Sequence, residues 1–225
     1  MLIAPGQNLH RVYCAGALFN ASERREMAEI AEALSAAGFE TWLPQRDGLE
    51  FAQVQPFLDR EGYDPVAVGH LVHEAVFALD AYQVLVNCGS LVLNLNGRTP
   101  DEGAVSEAAM AWAMGKPIVM YKADVRTLAL SRDNPLVVGL TDFTVVPEIS
   151  AIAPALKSAF VEQQPDEKRT VEVPRHVALP LQRGGRLWER LLALGAERST
   201  PAVATALIEI FDPEKRRLTN RSGIV

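Results

Sequence analysis

The chain has 225 residues, of which 48% are hydrophobic and 22% charged, the balance of a folded globular protein rather than a disordered one. Its net charge is −6: residues 1–150 carry 10 Lys/Arg against 19 Asp/Glu, whereas residues 151–225 carry 12 against 9. An acidic main region is a poor surface for phosphate backbones, so we expect no nucleic-acid partner. No apolar run reaches the ~20 residues of a membrane helix and no secretory signal opens the chain, so we expect no membrane association and a cytoplasmic location.

Short apolar runs alternate with helical patterns over the first 147 residues. Helices are predicted where apolar residues recur at helical spacing, at Ser22–Ala37, Pro65–Val86 and Glu102–Met114. The five predicted strands are Arg11–Leu18, Phe39–Leu43, Leu91–Leu95, Pro117–Tyr121 and Phe143–Val146. This alternation is typical of βαβ units, so the sequence predicts an α/β fold with a five-stranded parallel, doubly wound (flavodoxin/Rossmann-like) sheet of order 2-1-3-4-5.

The pattern changes after Pro147. Glu148–Gln163 is predicted to be helical, Pro165–Gly185 is polar and proline-containing, and two further helices are predicted at Arg186–Ala196 and Pro201–Phe211. We therefore predict an α/β domain over residues 1–147 and a C-terminal helical extension over residues 148–225.

A doubly wound sheet binds its ligands outside the carboxyl ends of the strands, where the strand order reverses. In the predicted order this point lies between the first and third strands, beside Tyr13–Asn20 and Asn96–Glu107. Glu107 lies on a helix face of small and apolar residues, where a solvated glutamate is unusual. An ionised carboxylate held there near the helix start suits nucleophilic or electrostatic catalysis. A structural glutamate bonded to backbone, Tyr or Arg is the alternative.

Asp101 precedes this helix by one residue and allows two interpretations. It is either the N-cap of the helix or one of two carboxyl groups that divide the acid and nucleophile roles with Glu107. Metal and thiol chemistry have little support: His70 and His73 do not form an HExxH motif, and the cysteines lie in no recognisable motif.

Four segments and one aspartate form a recognisable set of motifs: YCAGALF (Tyr13–Phe19), WLPQRDG (Trp42–Gly48), Asp80, NGRTPDEGAVSEAAMAWAMGKP (Asn96–Pro117) and DNP (Asp133–Pro135). Together they resemble the nucleoside 2-deoxyribosyltransferase family. The resemblance covers about the first 147 residues, and an aspartate often found at the start of the third strand is replaced by NCGS (Asn87–Ser90). It implies an enzyme that cleaves the N-glycosidic bond of a 2′-deoxynucleoside through a covalent deoxyribosyl ester and passes the sugar to another base.

By position, the resemblance makes Glu107 the nucleophile and Tyr13 the residue that orients it. Asp101 and Asp80 match acidic residues that contact the base and assist its departure, and Asn134 matches a residue that a neighbouring subunit contributes to the sugar site. The other predicted substrate-binding residues are Gly16, Phe19, Gln45, Arg46, Asp47 and Gly103. The family's chemistry needs no metal or cofactor, its partners are a nucleoside and a free base, and it implies a homo-oligomer with sites shared between subunits.

Two alternatives remain open at this stage. A relative that hydrolyses nucleosides or nucleoside 5′-monophosphates is the nearer one, although AGALFNASE (Ala15–Glu23) contains none of the basic residues that grip a phosphate in such hydrolases. The other is a non-catalytic nucleotide-sensing module that uses the same sheet to hold a ligand. Purine or pyrimidine preference, and deoxyribose or ribose, are not specified by these residues.

Overall fold

The computed structural model describes residues 1–49, 51–97, 100–124, 133–165, 169–195 and 199–212. The strands are β1 (Leu2–Ile3), β2 (Asn8–Ala15), β3 (Glu40–Trp42), β4 (Cys88–Asn94), β5 (Ile118–Tyr121) and β6 (Val171–Glu172). The α-helices are α1 (Ala21–Ala36), α2 (Pro44–Asp47), α3 (Phe51–Arg60), α4 (Pro65–Tyr82), α5 (Glu102–Ala113), α6 (Pro135–Val138), α7 (Ile149–Gln163), α8 (Arg175–Leu194) and α9 (Thr200–Phe211). A π-helical turn, Gln83–Asn87, joins α4 to β4, and a 3-10 turn, Gly139–Thr141, follows α6.

The chain forms two compact units that alternate along the sequence. Of the residues that the structure describes, those within Leu2–Asp47 and Gln83–Glu172 form the α/β unit, and Met1 and those within Gly48–Tyr82 and 173–212 form the helical unit. The division at residue 147 stays a prediction, and these units are composed differently: α4 groups with the later helices, whereas α7 groups with the sheet.

A four-stranded parallel sheet of order β3-β2-β4-β5 forms the centre of the α/β unit. Alternate residues of β2 face opposite sides of this sheet, so Val12 and Cys14 lie in a core with α1 and α7. Helix α5 packs against β2, β4 and β5. The small strands β1 and β6 pair antiparallel in a separate sheet. The α/β class and the predicted order of the first four strands are therefore confirmed.

The predicted fifth strand, Phe143–Val146, does not form. Asp142 and Phe143 both have positive φ angles, 50° and 62°, and such left-handed backbone cannot continue as a β-strand. Only Val146 bridges to Tyr121, in parallel orientation, so the sheet ends at β5. A turn replaces the strand because the Phe143 N–H donates to the Val138 carbonyl.

The helical unit is built from α3, α4, α8 and α9. Helix α4 packs against α8, and α9 packs against α3, α4 and α8. Helix α8 starts at Arg175, eleven residues before the predicted start, and includes Pro180. Its buried residues, among them Leu181, Leu187 and Leu191, recur at helical spacing and form the apolar side of an amphipathic helix. In the described part of the chain no helix is long and apolar enough to cross a membrane.

Candidate active site

A tyrosine–glutamate pair joins β2 to α5 in the α/β unit. Tyr13 is fully buried, and its hydroxyl donates a hydrogen bond to Glu107 Oε1 at 2.7 Å. Glu107 lies in the second turn of α5 and is half-buried, with the buried Ala104 and Ala111 one turn before and after it. The hydrogen bond holds the carboxylate in one orientation.

Asp101 is the N-cap of α5. Its Oδ2 accepts a hydrogen bond from the Ala104 N–H at 2.7 Å, so the capping interpretation is confirmed. Gly103 is exposed beside it, and a Cβ at Gly103 would lie 3.2 Å from Asp101 Oδ2. Glycine therefore leaves room next to this carboxylate. A role for Asp101 in protonating a departing base is compatible with this position and stays a prediction.

The segment after β2 turns sharply into α1. A Cβ at Gly16 would lie 2.5 Å from Met27 Sδ and 3.0 Å from Asn94 Cβ, so this position has no space for a side chain. Phe19, further along the turn, is 82% exposed. Both are predicted substrate-binding residues. Gly16 keeps the turn tight, and Phe19 presents an apolar surface to solvent.

A capping box starts α1 directly after this turn. Asn20 Oδ1 accepts hydrogen bonds from the Ser22 and Glu23 N–H groups. Glu23 Oε2 accepts in return from the N–H groups of Phe19 and Asn20. Four N–H groups at the helix start, those of Phe19, Asn20, Ser22 and Glu23, are therefore satisfied by the protein's own side chains.

Gln45, Arg46 and Asp47 lie together in α2. Arg46 donates to both carboxylate oxygens of Asp47, which raises the pKa of the guanidinium, and Asp47 in turn accepts from the Leu43 N–H at 2.8 Å. Gln45 Nε2 donates to the Arg24 carbonyl at 2.7 Å, whereas Gln45 Oε1 is buried and has no hydrogen-bond partner in the described structure. A buried acceptor of this kind is costly unless a ligand N–H or O–H satisfies it.

The described residues of the α/β unit line at least two clefts. One, of about 570 Å³, is lined by residues of the α1 start and of the exits of β4 and β5, among them Asn20, Glu23, Glu26, Asn96 and Asp124. The other, of about 690 Å³, lies beside β5 and has Trp112, Lys116, Asp142 and Glu162 in its lining. Of the described residues that line either cleft, none is a predicted site residue. Within the described ranges, no group of three or more His, Cys, Asp or Glu side chains lies close enough together to hold a metal ion.

The model of the nucleoside 2-deoxyribosyltransferase family matches residues 12–171, which is more than two thirds of the chain. The chain belongs to this family. The match continues past residue 147 through α7 to β6, further than the sequence motifs extend. Membership supports the family-level function, the chemistry of nucleosides and bases in a transferase or glycosidase class of enzymes.

Among solved structures, the chain is similar to that of a conserved protein from Enterococcus faecalis V583. It has 23% sequence identity and a TM-score of 0.49, and the alignment covers 67% of this chain and 98% of that chain. No curated protein sequence matches the chain closely enough to count as a relative.

Two residues that the family resemblance identified lie in other elements. Asp80 is half-buried near the end of α4, which belongs to the helical unit. Asn134 is exposed, and its Oδ1 caps α6 by accepting from the Leu136 N–H at 2.9 Å. The structure brings Tyr13 together with Glu107, and Asp101 with Gly103. The catalytic roles of Asp80 and Asn134 in this family member stay predictions.

Sequence reasoning missed a polar network at the carboxyl ends of β4 and β5. Glu26 on α1 contacts Asn94 and Asn96, which lie at the carboxyl end of β4. The two asparagines, spaced by two residues at a strand exit, are a signal that the sequence did contain. Glu26 carried no such signal, because it lies among other charged residues on a helix that faces solvent on one side.

Proposed function

We propose that this protein cleaves the N-glycosidic bond of 2′-deoxynucleosides and transfers the 2-deoxyribosyl group to another base, with Glu107 as nucleophile. The observation that carries the proposal is the 2.7 Å hydrogen bond from the buried Tyr13 hydroxyl to the Glu107 carboxylate. A carboxylate oriented by a fixed donor, on a helix that starts at the carboxyl edge of a parallel sheet, is suited to attack on a bound sugar.

The proposed reaction has two displacements at the anomeric carbon C1′. A Glu107 oxygen forms a bond to C1′ while the C1′–N bond breaks, and the base leaves with the bonding electrons and takes up a proton. A nitrogen of the acceptor base then attacks C1′, loses its proton, and releases the Glu107 carboxylate. Two inversions give overall retention of configuration. We assign assistance to the departing base to Asp101 and Asp80.

The base is proposed to contact the Gln45–Asp47 segment. Gln45 Oε1 is one of the buried acceptors without a hydrogen-bond partner in the described residues, and a ring N–H or exocyclic amine of a base supplies the donor that it lacks. Arg46 and Asp47 hold each other and the backbone of Thr41 and Leu43, which fixes the position of Gln45. Gly16, Phe19 and Gly103 are proposed to line the remaining substrate surface.

The start of α1 favours unphosphorylated nucleosides over nucleoside 5′-monophosphates. In doubly wound sheets, the N-terminus of the helix after the first strand is a common phosphate site, because its free N–H groups face the anion. Here the N–H groups of Phe19, Asn20, Ser22 and Glu23 donate to the protein's own Asn20 and Glu23 side chains. A phosphate would have to displace the Glu23 carboxylate and would meet its charge.

Chromatography of the purified protein with a panel of 2′-deoxynucleosides, each with and without a free acceptor base, tests the proposal. We expect new nucleoside only when acceptor is present. Glu107→Ala should reduce exchange at least about a thousandfold without loss of fold, whereas the matched Glu102→Ala, an exposed glutamate in the first turn of the same helix, should exchange at the wild-type rate. Free base released without acceptor identifies a hydrolase, and binding without turnover identifies a sensing module.

We further propose a homo-oligomer in which Asn134 reaches the sugar site of a neighbouring subunit. Asn134 is exposed and held by its capping bond, and the exposed Leu136 follows it. If sites are shared, Glu107→Ala and Asn134→Ala subunits refolded together should regain activity, up to about a quarter of wild type in a dimer. Mixtures as inactive as their components would contradict sharing.

A further inference from the structure

A hydrogen-bonded network joins α1 to the ends of two strands. We name it the carboxyl-edge network and define it as Glu26, Asn94, Asn96 and Tyr121. Glu26 is half-buried; its Oε2 accepts from Asn94 Nδ2 at 2.9 Å and its Oε1 from Asn96 Nδ2 at 2.6 Å. The Tyr121 hydroxyl lies 3.4 Å from Oε1. Both oxygens of one carboxylate are therefore engaged by two different side-chain amides.

Asn96 connects this carboxylate to the exit of β5. Its Oδ1 accepts hydrogen bonds from the Ala123 and Asp124 N–H groups, each at 2.9 Å. The Asp124 carboxylate accepts in return from the Gly97 N–H at 3.2 Å. The exits of β4 and β5 are thus tied to each other through one asparagine side chain, and that side chain is oriented by Glu26 on α1.

The network requires a carboxylate at position 26. Within the described residues, the groups that donate hydrogen bonds to Glu26 are two amides and a phenol, all of them neutral. Burial and this nearby charge raise the pKa of Tyr121. A glutamine has only one acceptor oxygen, and its amide group would face the amide of Asn94 or Asn96 donor to donor. The carboxylate of Glu26 orients two amides at once, and these hydrogen bonds offset the cost of burying its charge.

We propose that Glu26 and Asn96 are positioning residues that fix the exit of β4 and thereby the start of α5. Asp101, the N-cap of α5, follows Asn96 by five residues, and Glu107 lies on that helix. Helix α5 packs against β4, so a displacement of the exit of β4 shifts the start of α5 relative to Tyr13, which is fixed on β2. The inference rests on the proposed function and assigns to it two residues that do not touch the reacting atoms.

A charge swap tests the inference. Asn96→Asp alone places two carboxylates face to face, and Glu26→Gln alone sets donor against donor. The double variant Glu26→Gln/Asn96→Asp restores complementary pairing. The amide oxygen introduced at position 26 accepts from Asn94, and its amide nitrogen donates to the carboxylate introduced at position 96, which still accepts from the Ala123 and Asp124 N–H groups. Glu29→Gln, which neutralises an exposed glutamate of the same helix, is the matched control.

The readout is kcat and KM for base exchange at a temperature where circular dichroism shows every variant to be folded. We expect each single variant to lower kcat about 10- to 100-fold with a smaller change in KM, and the double variant to recover to within about threefold of wild type. A purely structural role predicts lower melting temperatures with kcat unchanged, and that result would overturn the inference. So would a double variant no better than the single ones.

Failure of the proposed function has a different signature. If Glu107→Ala exchanges bases like wild type, Glu107 is not the nucleophile. The kcat values of the Glu26 and Asn96 variants would still show whether these two residues position the groups that carry out the exchange. If the wild type turns over no nucleoside, the proposed function fails and this inference fails with it.

Discussion

The chemistry of the site depends on the alternation of side chains along β2. Val12 and Cys14 face the core beneath α1 and α7, which directs Tyr13 to the side of the sheet where α5 lies. Glu107 meets Tyr13 there because α5 starts at Asp101 and presents position 107 in its second turn. Two local patterns, a strand period of two and a helix register set by its cap, therefore bring together residues 94 positions apart.

Tyr13→Phe removes one hydrogen bond to Glu107 without changing the packed volume. A hydrogen bond to a charged group contributes about 2 kcal/mol, so we expect kcat to fall roughly 30-fold. Because the same bond also stabilises the fold, we expect the melting temperature to fall by about 4–8 °C. Steady-state exchange kinetics and thermal unfolding measure the two effects. Tyr63→Phe, at a half-buried tyrosine in the helical unit, should leave both quantities at wild-type values. An unchanged kcat in Tyr13→Phe would show that the phenol does not orient the nucleophile.

Two substitutions of Asp101 separate its structural and proposed chemical roles. Asn keeps an oxygen that accepts from the Ala104 N–H, whereas Ala removes it. We expect Asp101→Asn to retain wild-type stability but to lower kcat about 100-fold, and Asp101→Ala to lose in addition about 1 kcal/mol in the free energy of unfolding. Urea titration and exchange kinetics check this. Full activity in Asp101→Asn would reduce Asp101 to a helix cap.

At the residue scale, the sequence predicts what local pattern can encode. Glu107 is identifiable because a lone glutamate interrupts a face of small residues, and Asp101 because a cap precedes a helix. The buried, unpartnered Oε1 of Gln45 is not identifiable, because burial of one atom depends on neighbours far apart in the chain. Glu26 is the same case: the asparagines that it orients lie 68 and 70 positions away.

At the scale of elements, prediction failed where backbone conformation overrode composition. The apolar Phe143–Val146 segment has the residue types of a strand, but Asp142 and Phe143 adopt left-handed backbone, so that only Val146 pairs with β5. The sequence predicts a shorter α8 because Pro180, Gly184 and Gly185 are residues that disfavour helix interiors. In the structure, these residues lie within a helix that tertiary packing supports.

Gly184 lies where α8 approaches α4 most closely. A Cβ at this position would lie 1.9 Å from the Ala78 carbonyl oxygen, a backbone atom that cannot move aside alone. Gly184→Ala should therefore lower the free energy of unfolding by about 3 kcal/mol or more, despite the higher helix propensity of alanine. Gly69→Ala in α4, where no atom lies within 4 Å of the new Cβ, should instead stabilise by about 0.5–1 kcal/mol. Chemical denaturation compares the two; equal effects would contradict the close crossing.

For the whole molecule, the sequence predicts the sheet but not how the helices group into compact units. The helix–strand alternation predicted the parallel sheet and its order, since these follow from local periodicity and crossover rules. The composition of the compact units did not follow, because α4 and α8 lie far apart in the chain and their pairing depends on complementary surfaces rather than on proximity in sequence. Periodicity shows that a helix has an apolar face but not which partner covers it.

Global stability should depend on pH through one buried lysine. Lys116, between α5 and β5, is 6% exposed and its Nζ donates to the carbonyls of Val84 and Cys88. Burial lowers its pKa to about 8 from an ordinary value of 10.5. Between these two values the unfolded chain binds the proton and the folded chain does not, so the free energy of unfolding rises with pH.

The test compares the free energy of unfolding of wild type with that of Lys116→Met, each measured by denaturant unfolding from about pH 6 to about pH 11. We expect the free energy of unfolding of wild type to rise, relative to that of Lys116→Met, by about 2–3 kcal/mol between about pH 8 and pH 10.5. Below about pH 7 the difference between the two proteins should be nearly constant, because the lysine is protonated in the folded and the unfolded chain. Titrating groups that do not interact with Lys116 contribute equally to both proteins and cancel, whereas the Cys88 thiol, whose pKa Lys116 lowers, does not cancel. Lys157→Met, which removes an exposed lysine, should follow wild type in parallel at every pH. A difference that falls as pH rises would mean that the folded protein holds the Lys116 proton more tightly than the unfolded chain, and that the two carbonyls outweigh the cost of burial.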